Sequence, residues 1–402
     1  MPRRLVVCLD GTWNKPGQKD EGVQTKTNVL RLYEALSRLP DQIGGYFRGV
    51  GTDRGEKVTG GAFGWGLFDQ IKDGYRFLRE QFQPGDSIYV FGFSRGAYSA
   101  RSLAGMVLRC GIVKRDANPE FPDLGSDLLT TQQDGNLRTD VVDRVFALYK
   151  RAYEPQNRPE IERFKQAYCH DTAVRLVGVW DTVGSLGIPD GVVPFLKKFD
   201  KALDASLYGF LDTDLSPRVQ AAYHAVAIDE HRKPFLPTLW TDPGNAAPRV
   251  NVVGSNVEQT WFVGAHSNVG GGYADVGLSD IALKWMIDRG GRNGLKFEAS
   301  AVAAVRPAPR AKRRDSLDEF IEIGGAKNRF LSWIDRIVTK FVAVDRPIRE
   351  GSWIHDSVNG RLAAATVGEP DSDRAYQPAK TLRTKVASGV RAVDPQALRV
   401  VS

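Results

Sequence analysis

Ser87-Ile88-Tyr89-Val90-Phe91-Gly92-Phe93-Ser94-Arg95-Gly96-Ala97 is the stretch whose reading decides the fold. Ser87 to Phe91 is a continuous apolar run, the pattern of a strand buried on both faces. It leads into Gly-x-Ser-x-Gly, after which Ala97, Ala100, Leu103, Ala104 and Val107 recur at helical spacing and Gly111 offers a C-terminal stop. Strand, tight turn and helix around such a serine form the context of a nucleophile elbow. The turn strains the serine backbone, and the two glycines keep side chains away from it.

Working outward, Leu5 to Leu9 reads as another buried strand, ending in Asp10-Gly11-Thr12. Thr27 to Leu39 has helical spacing behind the polar starters Thr27 and Asn28, and Tyr46 to Val50 reads as a strand. Phe68, Ile71, Tyr75, Leu78 and Phe82 mark an amphipathic helix stopped by Pro84-Gly85-Asp86. Strands alternating with helices argue for a parallel sheet with crossover helices. Val174 to Trp180 and Thr260 to Ala265 supply later strands, the first ending in Asp181-Thr182 and the second in His266-Ser267. The expected fold is therefore α/β: an α/β-hydrolase-like, mostly parallel sheet with helices on both faces. Residues 1–295 form the expected core, with a polar helical insertion or lid at about 114–170. Residues 296–402 form a C-terminal extension packed on the core, with an Ala/Pro/Arg-rich link and a helix-like stretch from Phe330 to Val342.

The 402 residues, 42% hydrophobic and 26% charged, exclude wholesale disorder and a membrane bundle. No apolar run approaches the ~18 residues of a membrane span, and Leu5 to Leu9 is too short for a signal peptide, so a cytoplasmic chain is expected, with signal-less export open to an effector. Cys8, Cys110 and Cys169 fit neither a disulfide framework nor a zinc cluster. The net charge of +7 is modest, and nucleic acid is not expected as a partner. Part of the excess lies in the run Arg306, Arg310, Lys312, Arg313 and Arg314, which reads as a solvated loop or linker rather than a contact with an anionic surface.

A serine hydroxyl becomes a useful nucleophile when a histidine takes its proton and a carboxylate holds that histidine. Asp181 and His266 follow Ser94 in the order acid, then base, each directly after an expected strand. His355 is the alternative base. His170 falls at the wrong end of its strand; His224 and His231 match no metal-ligand spacing and are placed on a solvated helix running through Val219, Ala222, Tyr223 and Val226. The developing oxyanion needs donors, expected from the N–H of Arg95 and from the Gly11/Thr12 loop. Asp10 is either an Asx-turn residue of that loop or a participant in the chemistry.

Asp10-Gly11-Thr12-Trp13-Asn14, Thr27-Asn28-Val29, Gly49-Val50-Gly51-Thr52, Gly92 to Ala97, Trp180-Asp181-Thr182-Val183 and Gly264 to Tyr273 together resemble the DUF2235 family of α/β hydrolases. That family includes the catalytic domain of the Tle1-like type VI secretion phospholipase effectors. The resemblance continues through Asp229-Glu230-His231-Arg232 and Pro234-Phe235 to His355-Asp356-Ser357-Val358 and Tyr376-Gln377-Pro378. It implies Ser94, Asp181 and His266 as the triad, hydrolysis of phospholipid acyl esters, and an immunity or secretion partner for members that act as effectors. The secreted members are generally larger, with membrane-contacting modules not visible in this sequence.

Three other readings compete. Leu9-Asp10-Gly11-Thr12 resembles the haloacid-dehalogenase motif, but that chemistry needs an aspartate where Cys8 stands. A hydrolase-fold binding protein without turnover has no need to keep all three triad residue types in order. An esterase or thioesterase acting on a small soluble acyl substrate remains open beside the lipid reading. No metal and no cofactor is expected.

Overall fold

The structure is a computed structural model of the 402-residue chain. It describes residues 2–11, 14, 16–49, 60–124, 140–184, 215–242, 245–248, 255–316, 344–346, 348, 352–362 and 400–401. The expected helix from Phe330 to Val342, and Thr12, Thr52 and Tyr376, lie outside the described residues.

One sheet contains β1 (Arg4–Leu9), β2 (Gln42–Phe47), β3 (Ser87–Phe93), β4 (Val174–Trp180), β5 (Ala222–Ala227), β6 (Val257–Phe262), β7 (Trp353–His355) and β8 (Val400–Val401). Its order is β2-β1-β3-β4-β5-β6-β7-β8, and every neighbouring pair is parallel. The chain steps from β1 outward to β2, then crosses back past β1 to β3. That reversal makes the carboxyl ends of β1 and β3 a topological switch point, where open α/β sheets bind ligands.

The helices are α1 (Asn28–Ala35), α2 (Gly60–Gln81), α3 (Arg95–Cys110), α4 (Val141–Arg151), α5 (Arg158–Tyr168), α6 (His266–Gly270), α7 (Gly277–Arg292), α8 (Ala299–Ala303) and α9 (Asp356–Leu362). Strand alternation sorts them into two layers. Leu5, Val7 and Leu9 point into a core with Phe68 and Tyr75 of α2, Leu103 and Val107 of α3, and Phe146 and Tyr149 of α4. Val6 and Cys8 point the other way, into a core with Val29 and Leu32 of α1 and Leu283 and Trp285 of α7. The described part of the 114–170 stretch thus packs as a further helical layer on α2 and α3. Asp140 starts α4 with a capping box to Asp143.

Three elements depart from the sequence reading. β6 occupies Val257–Phe262 rather than Thr260 to Ala265. β2 occupies Gln42–Phe47 rather than Tyr46 to Val50. Gly44 and Gly45 break the apolar pattern there, yet side chains at those positions would press on the rings of Tyr33 and Phe77 at 3.0 and 3.1 Å. The expected helix through Ala222, Tyr223 and Val226 is instead strand β5, buried along its whole length between β4 and β6. A central strand covered on both faces shows no alternation, and its small alanines imitate helical spacing.

Gly96, the second residue of α3, sits directly above the end of β1: a Cβ there would lie 2.3 Å from the Leu9 carbonyl oxygen and 2.4 Å from that of Asp10. Gly291, near the end of α7, has open space around its Cβ position. Gly96→Ala should therefore cost about 2 kcal/mol or more in denaturant unfolding. Gly291→Ala should be neutral or stabilising by up to about 1 kcal/mol. Equal stabilities for the two variants would show that α3 does not sit against β1 as described.

Candidate active site

Register gathers distant positions at one edge of the sheet. Phe93 lies beside Trp180 in the β3–β4 ladder, so Ser94 and Asp181 leave the sheet as neighbours. Trp180 pairs with Ala225, and Ala227 with Phe262, after which His266 opens α6. On the other side of β3, Leu9 pairs with Gly92, which brings Asp10 and Gly11 to the same edge.

The Ser94 backbone takes φ 58° and ψ −125°, and its N–H donates to the Trp180 carbonyl at 3.0 Å. Gly92 allows this turn because a Cβ there would lie 2.3 Å from the Gly96 carbonyl oxygen. Asp181 is also in the left-handed region, at φ 41°. Among the described non-glycine residues, only Ser94, Asp181 and Glu21 have positive φ. Two of those three strained residues stand side by side at the sheet edge, as expected of a functional constellation. Arg95 is the first residue of α3, so its N–H lies at the positive end of the helix dipole.

Asp181 Oδ2 lies 2.5 Å from His266 Nδ1, and Asp181 Oδ1 accepts the Ala227 N–H at 2.9 Å. Both side chains are buried. Burial works to raise the Asp181 pKa, but the Arg346 charge and the His266 hydrogen bond overcome it and hold the carboxyl far below the usual carboxylate range. An ionised Asp181 requires the proton on His266 Nδ1, which leaves the Nε2 lone pair free. Burial lowers the His266 pKa below its ordinary 6.5, only partly opposed by Asp181. The imidazole is therefore neutral near pH 7, the form a general base needs. The rings of Phe93 and Phe235 flank it, with centroids at 4.6 and 4.9 Å. His266 Nε2 is buried with no hydrogen-bond partner among the described residues, so its bond to the Ser94 hydroxyl is not formed in this state.

A family model described as the catalytic domain of the Tle1-like type VI secretion phospholipase effectors matches residues 3–289. The chain belongs to that family. It is also 27% identical over 267 residues to the uncharacterized protein YEL023C of Saccharomyces cerevisiae, a match covering 60% of this chain and 33% of that protein. An uncharacterized protein from Pseudomonas aeruginosa of known crystal structure aligns with 83% of this chain and 52% of its own, at 16% identity and a TM-score of 0.42. The chain thus spans about a third of the first and about half of the second.

Within this Tle1-like chain the remaining expected residues are placed as follows. Gly11 abuts Ser94: a Cβ on it would lie 3.1 Å from Ser94 Cβ. Its N–H, however, already donates to Asp10 Oδ1 at 2.7 Å, and Thr12 lies outside the described residues. Asp10 Oδ2 accepts the hydroxyls of Thr27 and Tyr46, each at 2.6 Å. These contacts tie the loop after β1 to α1 and β2. Burial raises the Asp10 pKa to about 6 despite those three donors.

His224 corrects a second expectation, because it is fully buried in β5 rather than on a solvated helix. Its Nε2 accepts the Thr182 N–H at 3.1 Å, which buttresses the turn after Asp181, and burial lowers its pKa to about 3. His231 Nδ1 lies 3.2 Å from Asp345. His355, the alternative base, stacks on Phe262 and contacts Ser357 Oγ at 2.9 Å and Asp356 at 3.0 Å, and no described contact joins it to Asp181. The basic run is not wholly solvated either. Arg314 pairs with Asp20 at 2.9 Å and lies over the Tyr273 ring, because the segment straps across the loop that follows α6.

Three features escaped the sequence reading. Arg346, fully buried, binds both oxygens of Asp181. Glu230, also buried, accepts the His266 N–H at 3.2 Å, the Ser316 hydroxyl at 2.8 Å and two Arg232 side-chain nitrogens at 2.8 Å. Asn28 Nδ2 donates to the carbonyls of Val269 and Ser279, each at 2.9 Å, and so locks α1 against α6 and α7. Asp229-Glu230-His231-Arg232 and Thr27-Asn28-Val29 stood out as motifs, but their partners lie too far along the chain for spacing to identify.

Burial raises the Glu230 pKa, and the hydrogen bonds and charge of Arg232 reverse this, taking it from an ordinary 4.5 to about 2. A depressed pKa gives stability that is present above 4.5 and lost as pH falls towards 2. Glu230→Gln should therefore cost on the order of a few kcal/mol at pH 7 and flatten the acid loss of stability in that window. Chemical denaturation of both proteins from pH 7 to pH 2 checks this; parallel curves would remove Glu230 from the role.

Proposed function

We propose that this Tle1-like chain is a serine hydrolase that cleaves acyl esters of lipids through an acyl-enzyme. The observation that carries the reading is the buried Asp181–His266 pair at 2.5 Å, at the same sheet edge as a serine on a strained strand-to-helix turn. Ser94 Oγ attacks the acyl carbonyl while His266 Nε2 takes its proton. The N–H of Arg95 and a donor from the Gly11/Thr12 loop hold the oxyanion. His266 then protonates the departing alcohol, and the acyl group stays on Ser94. Water, deprotonated by the same imidazole, attacks that ester and releases the carboxylate and the free serine.

The lipid substrate is supported by the family's description as phospholipase effectors. In this reading residues 1–295 carry the hydrolase core with an insertion at 114–170, and the later residues are an extension that adds β7 and β8 to the edge of its sheet. Among the described residues no helix is long and apolar enough to cross a membrane, so the reading has the enzyme meet its lipid from the water side.

A fluorophosphonate probe should label Ser94, and Ser94→Ala should abolish labelling and lower kcat by roughly three orders of magnitude or more. Phospholipid vesicles should be cleaved faster than short p-nitrophenyl esters; the opposite preference, with Ser94 labelled, would replace the lipid reading by the soluble esterase. Because burial lowers the His266 pKa, the acid limb of kcat/KM should have its midpoint below 6.5, the ordinary histidine value. A limb at or above that value would remove His266 from the role of base.

A further inference from the structure

Resting on the triad reading, we propose that Arg346 is a positioning residue of the active site, a buried fork that fixes the Asp181 carboxylate so that one oxygen is presented to His266 Nδ1. The geometry is bidentate. Nη1 donates to Oδ1 at 2.5 Å and Nη2 to Oδ2 at 2.9 Å. The same two nitrogens donate to the carbonyl oxygens of Ala227 at 2.8 Å and Phe235 at 2.5 Å. Guanidinium and carboxylate are both fully buried.

With Ala227 N–H on Oδ1 and His266 Nδ1 on Oδ2, each oxygen of Asp181 has two donors. A carboxylate saturated in this way cannot rotate without breaking several charge-assisted bonds at once. A planar fork suits the task better than a lysine's point charge. The carbonyl contacts extend the effect, because Phe235 also packs its ring on His266. Arg346 therefore joins the acid, the end of β5 and one wall of the imidazole pocket. It lies beyond residues 3–289, so the part of the chain that matches the family model does not include it.

The charge has a consequence of its own. Asp181 faces Arg346, His266 and His224, while His266 faces Asp181, Glu230 and Arg232. Arg346 neutralises part of the charge that would otherwise stabilise the imidazolium. Without it, the Asp181–His266 pair takes up its proton at higher pH, whichever of the two carries it. A purely structural arginine would change the amount of folded protein and leave that titration in place.

The test is the rate of Ser94 labelling by a fluorophosphonate, per folded molecule, from pH 4 to pH 9 in wild type, Arg346→Lys and Arg346→Met. Arg346→Lys keeps the charge and loses the fork, so labelling should slow roughly tenfold or more with the acid limb near its wild-type position. Arg346→Met should move the limb up by about 1 pH unit. Should the methionine variant fail to fold, the lysine variant decides. Wild-type labelling rate in Arg346→Lys, or an unmoved limb in a folded Arg346→Met, overturns the proposal while leaving the triad standing. Wild-type protein left unlabelled at Ser94 overturns the triad reading and this proposal with it.

Discussion

The carboxyl edge of the sheet around Ser94 and His266 depends on one buried carboxylate. Asp181 sits at the end of a central strand with no exposure to water, where an unpaired negative charge would cost several kcal/mol. It is tolerated because the end of β5, the first residue of α6 and the guanidinium of Arg346 converge on it. Those three partners come from distant parts of the chain. Satisfying the charge therefore also fixes where the residues around position 227, the histidine and the segment beyond residue 340 must lie. The left-handed backbone at Asp181 and at Ser94 is held in place by the same convergence, since each strained residue hydrogen-bonds through its N–H to a neighbouring strand.

The same device recurs around the site. Asp10 accepts the Gly11 N–H, Asp229 accepts the Gly264 N–H, and Glu230 accepts the N–H groups of Arg232 and His266. Each is a buried carboxylate that anchors backbone at or near the carboxyl edge of the sheet. Loops left to solvent would place Ser94, His266 and the residues around Gly11 loosely, and the chemistry proposed for them is sensitive to errors of about 1 Å. Carboxylates suit this work because they offer several acceptor sites and make their strongest bonds to N–H donors held rigidly by the sheet.

This network explains which parts were legible in the sequence. After their first residues the strands β1 and β3 are apolar runs, β4 is broken by Arg175 alone among charged residues, and the elbow carries its own glycines, so the sheet and the strand-turn-helix around Ser94 could be read locally. Asp181 could be placed at the sheet's edge because it follows β4 directly, and His266 because it stands four residues beyond the end of β6. β5 could not be read locally, since Ala222 to Ala227 packs on both faces and its alanines imitate a helix. A helix in place of that strand puts His224 in solvent rather than at the turn beside Asp181. Arg346 had no local signal at all. Its role exists only through contacts with residues more than a hundred positions earlier, and an arginine in a polar segment looks like any solvated one.

The carboxylates also differ in a way that orders their response to acid. Asp181 and Glu230 each have an arginine, and burial loses to it; Asp10 has only neutral donors, and burial wins, raising its pKa from 3.8 to about 6. Between those two values the folded state binds a proton that the unfolded chain does not, so folding stability from this group falls as pH rises through the window. At neutral pH the Asp10 charge is therefore held at a cost of a few kcal/mol. As pH falls, the loop carrying Gly11 loses its anchor's charge first, while the acid that orients His266 keeps its own. Which group titrates first is decided by where the chain places its buried arginines rather than by which carboxylate is the more deeply buried.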